Sequence, residues 1–205
     1  MNTVICLLMG YLLGCFSPAA LVGKKTSINL RKEGTGNLGA TNVGLVVGRK
    51  AGFFVLFMDM LKAFVAVRLA ARLFPKMALA KLIAGSGAIL GHVFPFHMKF
   101  KGGKGLAAFG GMVLAYDPAI FWPLLVLGIV LCVIVNYSYA LPMSAGFLFP
   151  LLAGWKARSL TVLLAAAVPS ALVIIKHWSN IGKAMRGEDN KFRETFMEKM
   201  FGKTK

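Results

Sequence analysis

The chain is built from a series of apolar runs, most of them 16–24 residues long, separated by short polar segments. A helix of roughly 20 apolar residues spans the hydrocarbon core of a bilayer and satisfies its own backbone hydrogen bonds there. The composition agrees, because 58% of the 205 residues are hydrophobic and only 15% are charged, unlike an ordinary soluble domain. We therefore predict an all-α integral membrane protein with one polytopic membrane domain over residues 1–205.

The runs predict about seven transmembrane helices. They cover residues 3–22, 51–74, 79–98, 106–116, 118–135, 140–155 and 160–176. The fourth run is too short to cross a bilayer comfortably. It either extends back into the glycine-rich stretch before it or forms a re-entrant segment, and in the second case only six helices cross.

The net charge of +17 suits either a nucleic-acid partner or a membrane protein whose Lys and Arg fix its orientation. Segments 24–50, 99–105 and 176–205 carry 17 Lys and Arg, whereas the alternate loops carry five. The positive-inside rule places these segments in the cytoplasm and the N-terminus outside. We therefore predict a lipid bilayer and no nucleic acid as partner. The C-terminus is expected in the cytoplasm, with residues 183–205 as an amphipathic tail along the membrane surface.

The sequence does not contain the residue patterns of several common kinds of catalytic site. Cys6, Cys15 and Cys132 lie inside apolar runs without pairing or metal-ligand spacing, so we expect buried thiols, no disulfide and no metal. Ser86 does not sit in a G-x-S-x-G elbow, and none of the three histidines begins an H-x-x-x-x-D pair. Neither a serine hydrolase nor catalysis by a histidine–aspartate pair is indicated, and no cofactor is expected.

The first polar segment, residues 31–42, is rich in glycine and in small polar side chains. Glycines let backbone amides approach a phosphate closely, and hydroxyls and carboxamides can hydrogen-bond it. Its candidate phosphate-binding residues are Thr35, Gly36, Asn37, Gly39, Thr41 and Asn42. The G-x-G-x-x-G pattern within it matches a dinucleotide fingerprint only formally, because no βαβ unit surrounds it. The alternative is a glycine-rich turn between two spans.

The second segment, residues 100–105, places two cations among three glycines just before an apolar helix. Amides at a helix N-terminus and a Lys ammonium both favour an anion. The candidate residues here are Lys101, Gly102, Gly103 and Lys104. The alternative is a tight basic loop that only sets topology.

The third segment follows the last apolar run. His177 and Asn180 are three residues apart and share a helical face, so together they can hold a phosphate or a carbonyl oxygen. The alternative is an interfacial anchor, since His177 stands beside Trp178.

Together the three segments resemble the bacterial acyl-phosphate:glycerol-3-phosphate acyltransferases. The matching strings are residues 34–42, 91–95 and 100–105, then His177 with Asn180, in the same order and spacing over nearly the whole chain. The resemblance implies transfer of a fatty acyl group from acyl phosphate to the 1-hydroxyl of glycerol 3-phosphate. The product is lysophosphatidic acid, and the reaction begins phospholipid synthesis. The resemblance also implies seven transmembrane helices in the bacterial inner membrane, a cytoplasmic active site and no obligate protein partner.

The resemblance assigns roles as well. Lys104, His177 and Asn180 are the expected catalytic residues, and the other candidates of the first two segments are expected to bind substrate phosphates. One departure matters: Leu45 stands where the family usually has Arg, so a forked phosphate contact is missing. Arg49, one helical turn further on, compensates only if the backbone turns it inward.

Asp59 and Lys62 lie three residues apart inside the second span, where charges are costly unless they are paired. We expect a structural ion pair, with a direct role in the site as the alternative. Intramembrane charge and basic loops also suit a small transporter or channel for an anionic solute. That function is the main competitor, together with a family member that acts on a different phosphorylated acceptor.

Overall fold

The computed structural model describes residues 1–188 and 191–193 of the chain. These residues form α-helices, one 3₁₀ helix and connecting turns, with no strand among them, so the predicted all-α class is confirmed. In chain order the described helices are α1 (Asn2–Cys15), α2 (Pro18–Lys25), α3 (Ala40–Val46), α4 (Arg49–Leu73), α5 (Ala80–Val93), α6 (Leu106–Tyr116), α7 (Pro118–Val135), α8 (Ala140–Ala157) and α9 (Leu160–Met185). The 3₁₀ helix Phe96–Met98 lies between α5 and α6.

Three helical stretches of the described chain are both long enough and apolar enough to cross a bilayer. They are Asn2–Lys25, Pro118–Val135 and Leu160–Met185. Helix α6 is too short for this, because its 11 residues extend over only about 16 Å. The glycine-rich stretch before α6 is not helical, so a backward extension of the fourth run is wrong. The number of crossings stays a prediction.

The first apolar run is not one continuous helix. Helix α1 ends at Cys15, and α2 begins at Pro18 with Ser17 as its N-cap. Proline has no amide hydrogen with which to continue α1, and it disfavours helical geometry at the preceding residue. The Ser17 hydroxyl then accepts a hydrogen bond of 3.3 Å from an amide in the first turn of α2. The break falls at Phe16, whose backbone is extended.

Two other predicted helix ends are displaced. Helix α5 stops at Val93 because Pro95 interrupts the helical run, and the chain passes into the 3₁₀ helix. Helix α9 continues beyond the apolar run to Met185, so it carries both His177 and Asn180. The remaining runs agree with α4, α6, α7 and α8 to within two residues at each end.

The chain forms two compact units, Met1–Pro118 and a second that begins at Ala119. In the first unit, α1 packs against α5, and α4 packs against α5 and α6. The contact between α1 and α5 is backbone to backbone, because a side chain on Gly14 would overlap the carbonyl oxygen of Ala88 and one on Gly91 would overlap that of Tyr11. Small residues play the same part at interfaces between membrane helices.

The second unit contains α7, α8 and α9. Helix α8 packs along α9, where a side chain on Gly154 would lie 2.6 Å from Cβ of Leu163. After α9, the amides of Phe192 and Arg193 each donate a hydrogen bond of 2.8 Å to Asn136, the residue that follows α7. The rest of the predicted amphipathic tail, residues 189–190 and 194–205, lies outside the described residues.

Candidate active site

The first glycine-rich segment is a loop organised by one buried side chain. Asn42 is fully buried in α3, which follows its N-cap Gly39. Its Oδ1 atom accepts a hydrogen bond of 2.7 Å from the amide of Thr35. Its Nδ2 atom donates to the carbonyl oxygens of Leu30 at 2.9 Å and Glu33 at 3.2 Å. The carboxamide predicted to bind a phosphate therefore holds the loop together.

The polar surface of this loop lies between two glycines. Gly34 and Gly36 have φ angles of 56° and 70°, a region that glycine adopts without steric cost. Thr35 between them is exposed, and its hydroxyl oxygen accepts a hydrogen bond of 3.4 Å from the amide of Asn37. Thr41 is also exposed, at the start of α3. Among the predicted residues of the first segment, the hydroxyls of Thr35 and Thr41 are thus the most accessible groups.

The second segment turns back onto the end of α5. The amides of Gly102 and Gly103 donate hydrogen bonds to the carbonyl oxygens of Val93 at 2.9 Å and His92 at 3.1 Å. Both amides are therefore engaged inside the protein in this structure, and the phosphate-binding role of Gly102 and Gly103 stays a prediction. Lys104 follows as a partly buried residue, and α6 begins two residues later. The predicted combination of a Lys with a helix N-terminus is present here.

The first and second segments meet in the first unit. The guanidinium of Arg31 donates through Nη2 to the carbonyl oxygen of Lys101. The carbonyl oxygen of Leu38 lies 2.7 Å from the position that a Cβ atom on Gly103 would occupy. Leu38 is itself buried in a cluster with residues of α2, α3 and α4, which fixes the loop. The two loops therefore adjoin on one face of the unit.

An open cavity of about 360 Å³ lies beside the first loop. Its lining combines apolar side chains with two cations, and consists of Ala20, Gly23, Lys24, Ser27, Ile28, Asn29, Leu30, Arg31, Leu38 and Met98. Neither Lys24 nor Arg31 is among the predicted site residues. The sequence alone does not distinguish them from the other Lys and Arg residues of the same basic segment.

A buried polar cluster adjoins the second loop. The ammonium of Lys62 lies 2.7 Å from Oδ1 of Asp59, 2.9 Å from Nδ1 of His92 and 2.7 Å from the carbonyl oxygen of Phe16. The side chains of Asp59, Lys62 and His92 are all buried. The predicted ion pair is confirmed. His92 completes the cluster, with Nδ1 3.2 Å from Oδ1 of Asp59. Sequence spacing does not reveal this contact between a histidine and an aspartate, since they lie on different helices.

The third segment belongs to the second unit and lies on α9. His177 is buried, and its Nδ1 atom lies 2.9 Å from the carbonyl oxygen of Val173. A carbonyl oxygen only accepts, so Nδ1 carries a proton. Asn180 follows on the same helix and is partly buried. Beyond the helix, two hydrogen bonds from Arg186 hold the pKa of the Glu188 carboxyl below its usual value.

The residue that departs from the resemblance lies near the first loop. Leu45 is on α3 with 43% of its surface exposed. Arg49 begins α4 and is exposed as well, after a turn at Gly48 with a φ angle of 129°. The backbone therefore does not turn Arg49 into the protein interior, which was the condition for it to replace the missing Arg.

Known proteins match this sequence over nearly its whole length. A sequence model of the family described as "Glycerol-3-phosphate acyltransferase" matches residues 4–187. The glycerol-3-phosphate acyltransferase of Aquifex aeolicus is 35% identical over 195 residues, which cover 94% of this chain and 100% of the relative. That of Trichlorobacter lovleyi is 38% identical over 183 residues, which cover 89% of this chain and 94% of the relative.

The fold is similar to two crystal structures of PlsY (YgiH), an integral membrane glycerol 3-phosphate acyltransferase. The glycerol 3-phosphate form has a TM-score of 0.87 and 29% identity, and covers 96% of this chain and 99% of that one. The lysophosphatidic acid form has a TM-score of 0.85 and 28% identity, and covers 96% of this chain and 100% of that one. The chain is therefore an integral membrane protein that belongs to the glycerol-3-phosphate acyltransferase family.

Proposed function

We propose that the protein transfers a fatty acyl group from acyl phosphate to the 1-hydroxyl of glycerol 3-phosphate, giving lysophosphatidic acid. Membership of the family supports the acceptor and the type of reaction. The observation that carries the proposal is the meeting of the two glycine-rich loops, at Arg31 with Lys101 and at Leu38 with Gly103. This meeting brings the loop with the exposed Thr35 hydroxyl beside the loop that ends in Lys104.

The chemistry requires little from the protein beyond positioning and charge neutralisation. Acyl phosphate is a mixed anhydride, so phosphate is a good leaving group when the acceptor hydroxyl attacks the acyl carbon. A new ester bond forms as the bond between the acyl carbon and the phosphate oxygen breaks, and the hydroxyl proton is transferred to a base. A substrate phosphate oxygen can be that base. Most of the rate enhancement is therefore expected from holding the two phosphorylated reactants so that the acceptor hydroxyl lies next to the acyl carbon.

Lys104 is the residue we expect to neutralise phosphate charge. Its ammonium is a strong donor to phosphate, and the start of α6 two residues later adds the positive end of a helix dipole. With the amides of Gly102 and Gly103 engaged elsewhere, the side chain and not the preceding backbone carries this role. The Thr35 hydroxyl is the matching donor of the first loop.

His177 and Asn180 keep the roles that the resemblance implies. With Nδ1 bonded to Val173, the Nε2 atom of His177 can accept the hydroxyl proton, so His177 is the alternative base to a substrate phosphate. The Asn180 carboxamide is expected to orient a phosphate or the acyl carbonyl. Replacing His177 by Gln or Asn180 by Ala should lower the turnover number.

The proposal includes seven crossings of the bacterial inner membrane, with the N-terminus outside and the active site on the cytoplasmic side. The excess of Lys and Arg in segments 24–50, 99–105 and 176–205 supports this orientation. The contact between Arg31 and Lys101 is in accord with it, because both residues belong to loops assigned to the same side.

The decisive experiment uses purified protein in detergent with palmitoyl phosphate and radiolabelled glycerol 3-phosphate. We expect lysophosphatidic acid to form and phosphate to be released in equal amounts, and neither without the acceptor. Phosphate release that does not depend on glycerol 3-phosphate would contradict acyl transfer. Uptake of unmodified glycerol 3-phosphate into proteoliposomes, without product, would favour the competing transporter.

Leu45 is the observation that favours a second candidate, a transferase for a different phosphorylated alcohol. Its exposed side chain occupies the position where the family usually has a phosphate-binding Arg. The same assay, repeated with a series of phosphorylated alcohols, separates the two candidates by the ratio of their kcat/KM values.

A further inference from the structure

We propose that His92 is a positioning residue that fixes the loop carrying Lys104, through its backbone carbonyl group and through a ring held against Gly103. The inference rests on the proposed function, in which Lys104 contacts a substrate phosphate. It assigns the buried cluster of Asp59, Lys62 and His92 a part in the reaction that goes beyond pairing charges inside the membrane.

The contacts of the Lys62 ammonium decide which ring nitrogen of His92 carries the proton. The Lys62 ammonium has three protons and three neighbouring acceptors: the Phe16 carbonyl, Oδ1 of Asp59 and Nδ1 of His92. An ammonium only donates, so Nδ1 at 2.9 Å must offer its lone pair. The proton therefore resides on Nε2.

The Nε2 atom of His92 faces the backbone of Gly103. A Cβ atom on Gly103 would overlap Nε2 of His92, so the ring edge lies directly against the backbone of Gly103. The carbonyl oxygen of His92 also accepts the hydrogen bond of 3.1 Å from the Gly103 amide. His92 thus holds the residue before Lys104 from two sides, once through its backbone and once through its ring.

Lys62 holds the His92 ring in its position. Lys62 connects α4 to the break between α1 and α2 through Phe16, and to α5 through His92. Three buried polar side chains in an apolar environment are stable only while they satisfy one another. Rotation of the His92 ring would remove an acceptor from the Lys62 ammonium. The cluster therefore fixes the orientation of the His92 ring, and the ring in turn fixes the position of the loop that carries Lys104.

Two substitutions distinguish the contact that Nδ1 of His92 makes with Lys62 from the contact that Nε2 makes with Gly103. In His92→Asn, a carboxamide oxygen can replace Nδ1 as the acceptor for Lys62, but nothing reaches the position of Nε2. In His92→Gln, the longer carboxamide can place an N–H group near that position, but the acceptor for Lys62 is lost. We expect His92→Asn to unfold within a few degrees of wild type while its kcat/KM falls about 10- to 100-fold, the effect of a misplaced binding group. His92→Gln should keep more activity and unfold at a lower temperature.

A combination with Lys104→Ala tests whether His92 acts through Lys104. We expect His92→Asn to change kcat/KM by less than about twofold in that background, because a loop without its cation has nothing left to position. Multiplying effects would overturn the inference while the role of Lys104 stands. Near-normal kcat/KM of Lys104→Ala alone would overturn the role of Lys104 in the proposed function, and the inference with it.

The activity and stability of the His92 variants can also contradict the inference directly. Full activity of folded His92→Asn would overturn it, as would equal losses of activity and stability in both variants. If neither variant folds, ¹⁵N NMR of histidine-labelled wild-type protein decides, with His97→Gln and His177→Gln used to assign the signals. We expect the pyridine-like signal of His92 at Nδ1, and finding it at Nε2 would overturn the proposal.

Discussion

The Oδ1 atom of Asn42 accepts a hydrogen bond of 2.7 Å from the amide of Thr35, and this contact closes the first glycine-rich loop onto α3. The same carboxamide donates to the carbonyl oxygens of Leu30 and Glu33. A phosphate bound by Asn42 would have to replace one of these bonds. The loop therefore depends on Asn42 for its shape and on Thr35 for a group that faces outward.

Asn42→Ala should destabilise the protein and inactivate it together. It leaves the Thr35 amide and two carbonyl groups without their partner, which costs about 2–4 kcal/mol in the free energy of unfolding. Thermal unfolding in detergent, followed by intrinsic fluorescence, measures the loss. Thr41→Ala is the matched control for stability, since Thr41 is exposed and its removal should cost less than about 0.5 kcal/mol. Equal stability of both variants would contradict the organising role of Asn42.

Lys104→Ala should lower the rate of acyl transfer while leaving the protein folded. The loss of one charge-assisted contact to a phosphate corresponds to about 2–4 kcal/mol, or roughly 30- to 1,000-fold in rate. Steady-state kinetics of lysophosphatidic acid formation measure this effect. Lys99→Ala removes an equal charge from the same loop, so a merely general electrostatic effect would appear in both variants. Activity of Lys104→Ala within a few-fold of wild type would remove Lys104 from the site.

Leu45→Arg tests the departure from the family. With 43% of its surface exposed, Leu45 can be replaced by a longer side chain without disturbing the core. If the acceptor is glycerol 3-phosphate, the new forked donor should lower its KM by about tenfold or more, since a charged hydrogen bond contributes about 1.5–3 kcal/mol. If the site serves another acceptor, the added Arg should impair activity on it. No change with either acceptor would place position 45 outside the site.

Gly14→Ala should separate α1 from α5. The added methyl group would overlap the carbonyl oxygen of Ala88, and a backbone group cannot move aside as a flexible side chain can. We expect a loss of about 1–3 kcal/mol in stability, measured by thermal unfolding. Gly44→Ala is the control, because a Cβ atom there meets only Cα of Gly52, at 3.8 Å. If Gly14→Ala unfolds at or above the temperature of Gly44→Ala, the close backbone contact is not important.

The assigned orientation is tested by labelling cysteines with a membrane-impermeant maleimide. The three native cysteines, Cys6, Cys15 and Cys132, are buried as predicted, so they should react slowly. Cysteines introduced at Thr26 and Lys101 should be protected in intact cells and should react once the membrane is opened. Reaction of either one in intact cells would reverse the orientation.

The sequence was sufficient to predict the ends of those helices whose length is set by hydrophobicity alone. Helices α6 and α7 begin and end at the predicted residues. It was insufficient where a single residue overrides a continuous apolar run. Pro18 divides the first run and Pro95 shortens the third, although the hydrophobic pattern continues across both.

Some features of the candidate site could likewise be predicted from the sequence, and others could not. The segments and the Asp59–Lys62 pair follow from residue types at helical spacing, and they were predicted. The contact of His92 with Lys62 depends on how α4 packs against α5, which the order of residues in one chain does not specify. The internal hydrogen bonds of Gly102 and Gly103 depend on the turn geometry after α5, which the residue types alone do not specify.

The break at Phe16 has a consequence for how the protein is made. If α4 crosses the bilayer as predicted, Asp59 and Lys62 enter it together, and a charge at the centre of a membrane helix costs about 2.5–3.5 kcal/mol during insertion. The ribosome has by then already released the segment with the Phe16 carbonyl, which accepts a hydrogen bond from Lys62. His92 arrives last, with α5. Translation order thus supplies the partners of the Lys62 ammonium one after another, and the buried cluster is complete only when α5 has been made and has packed against α4.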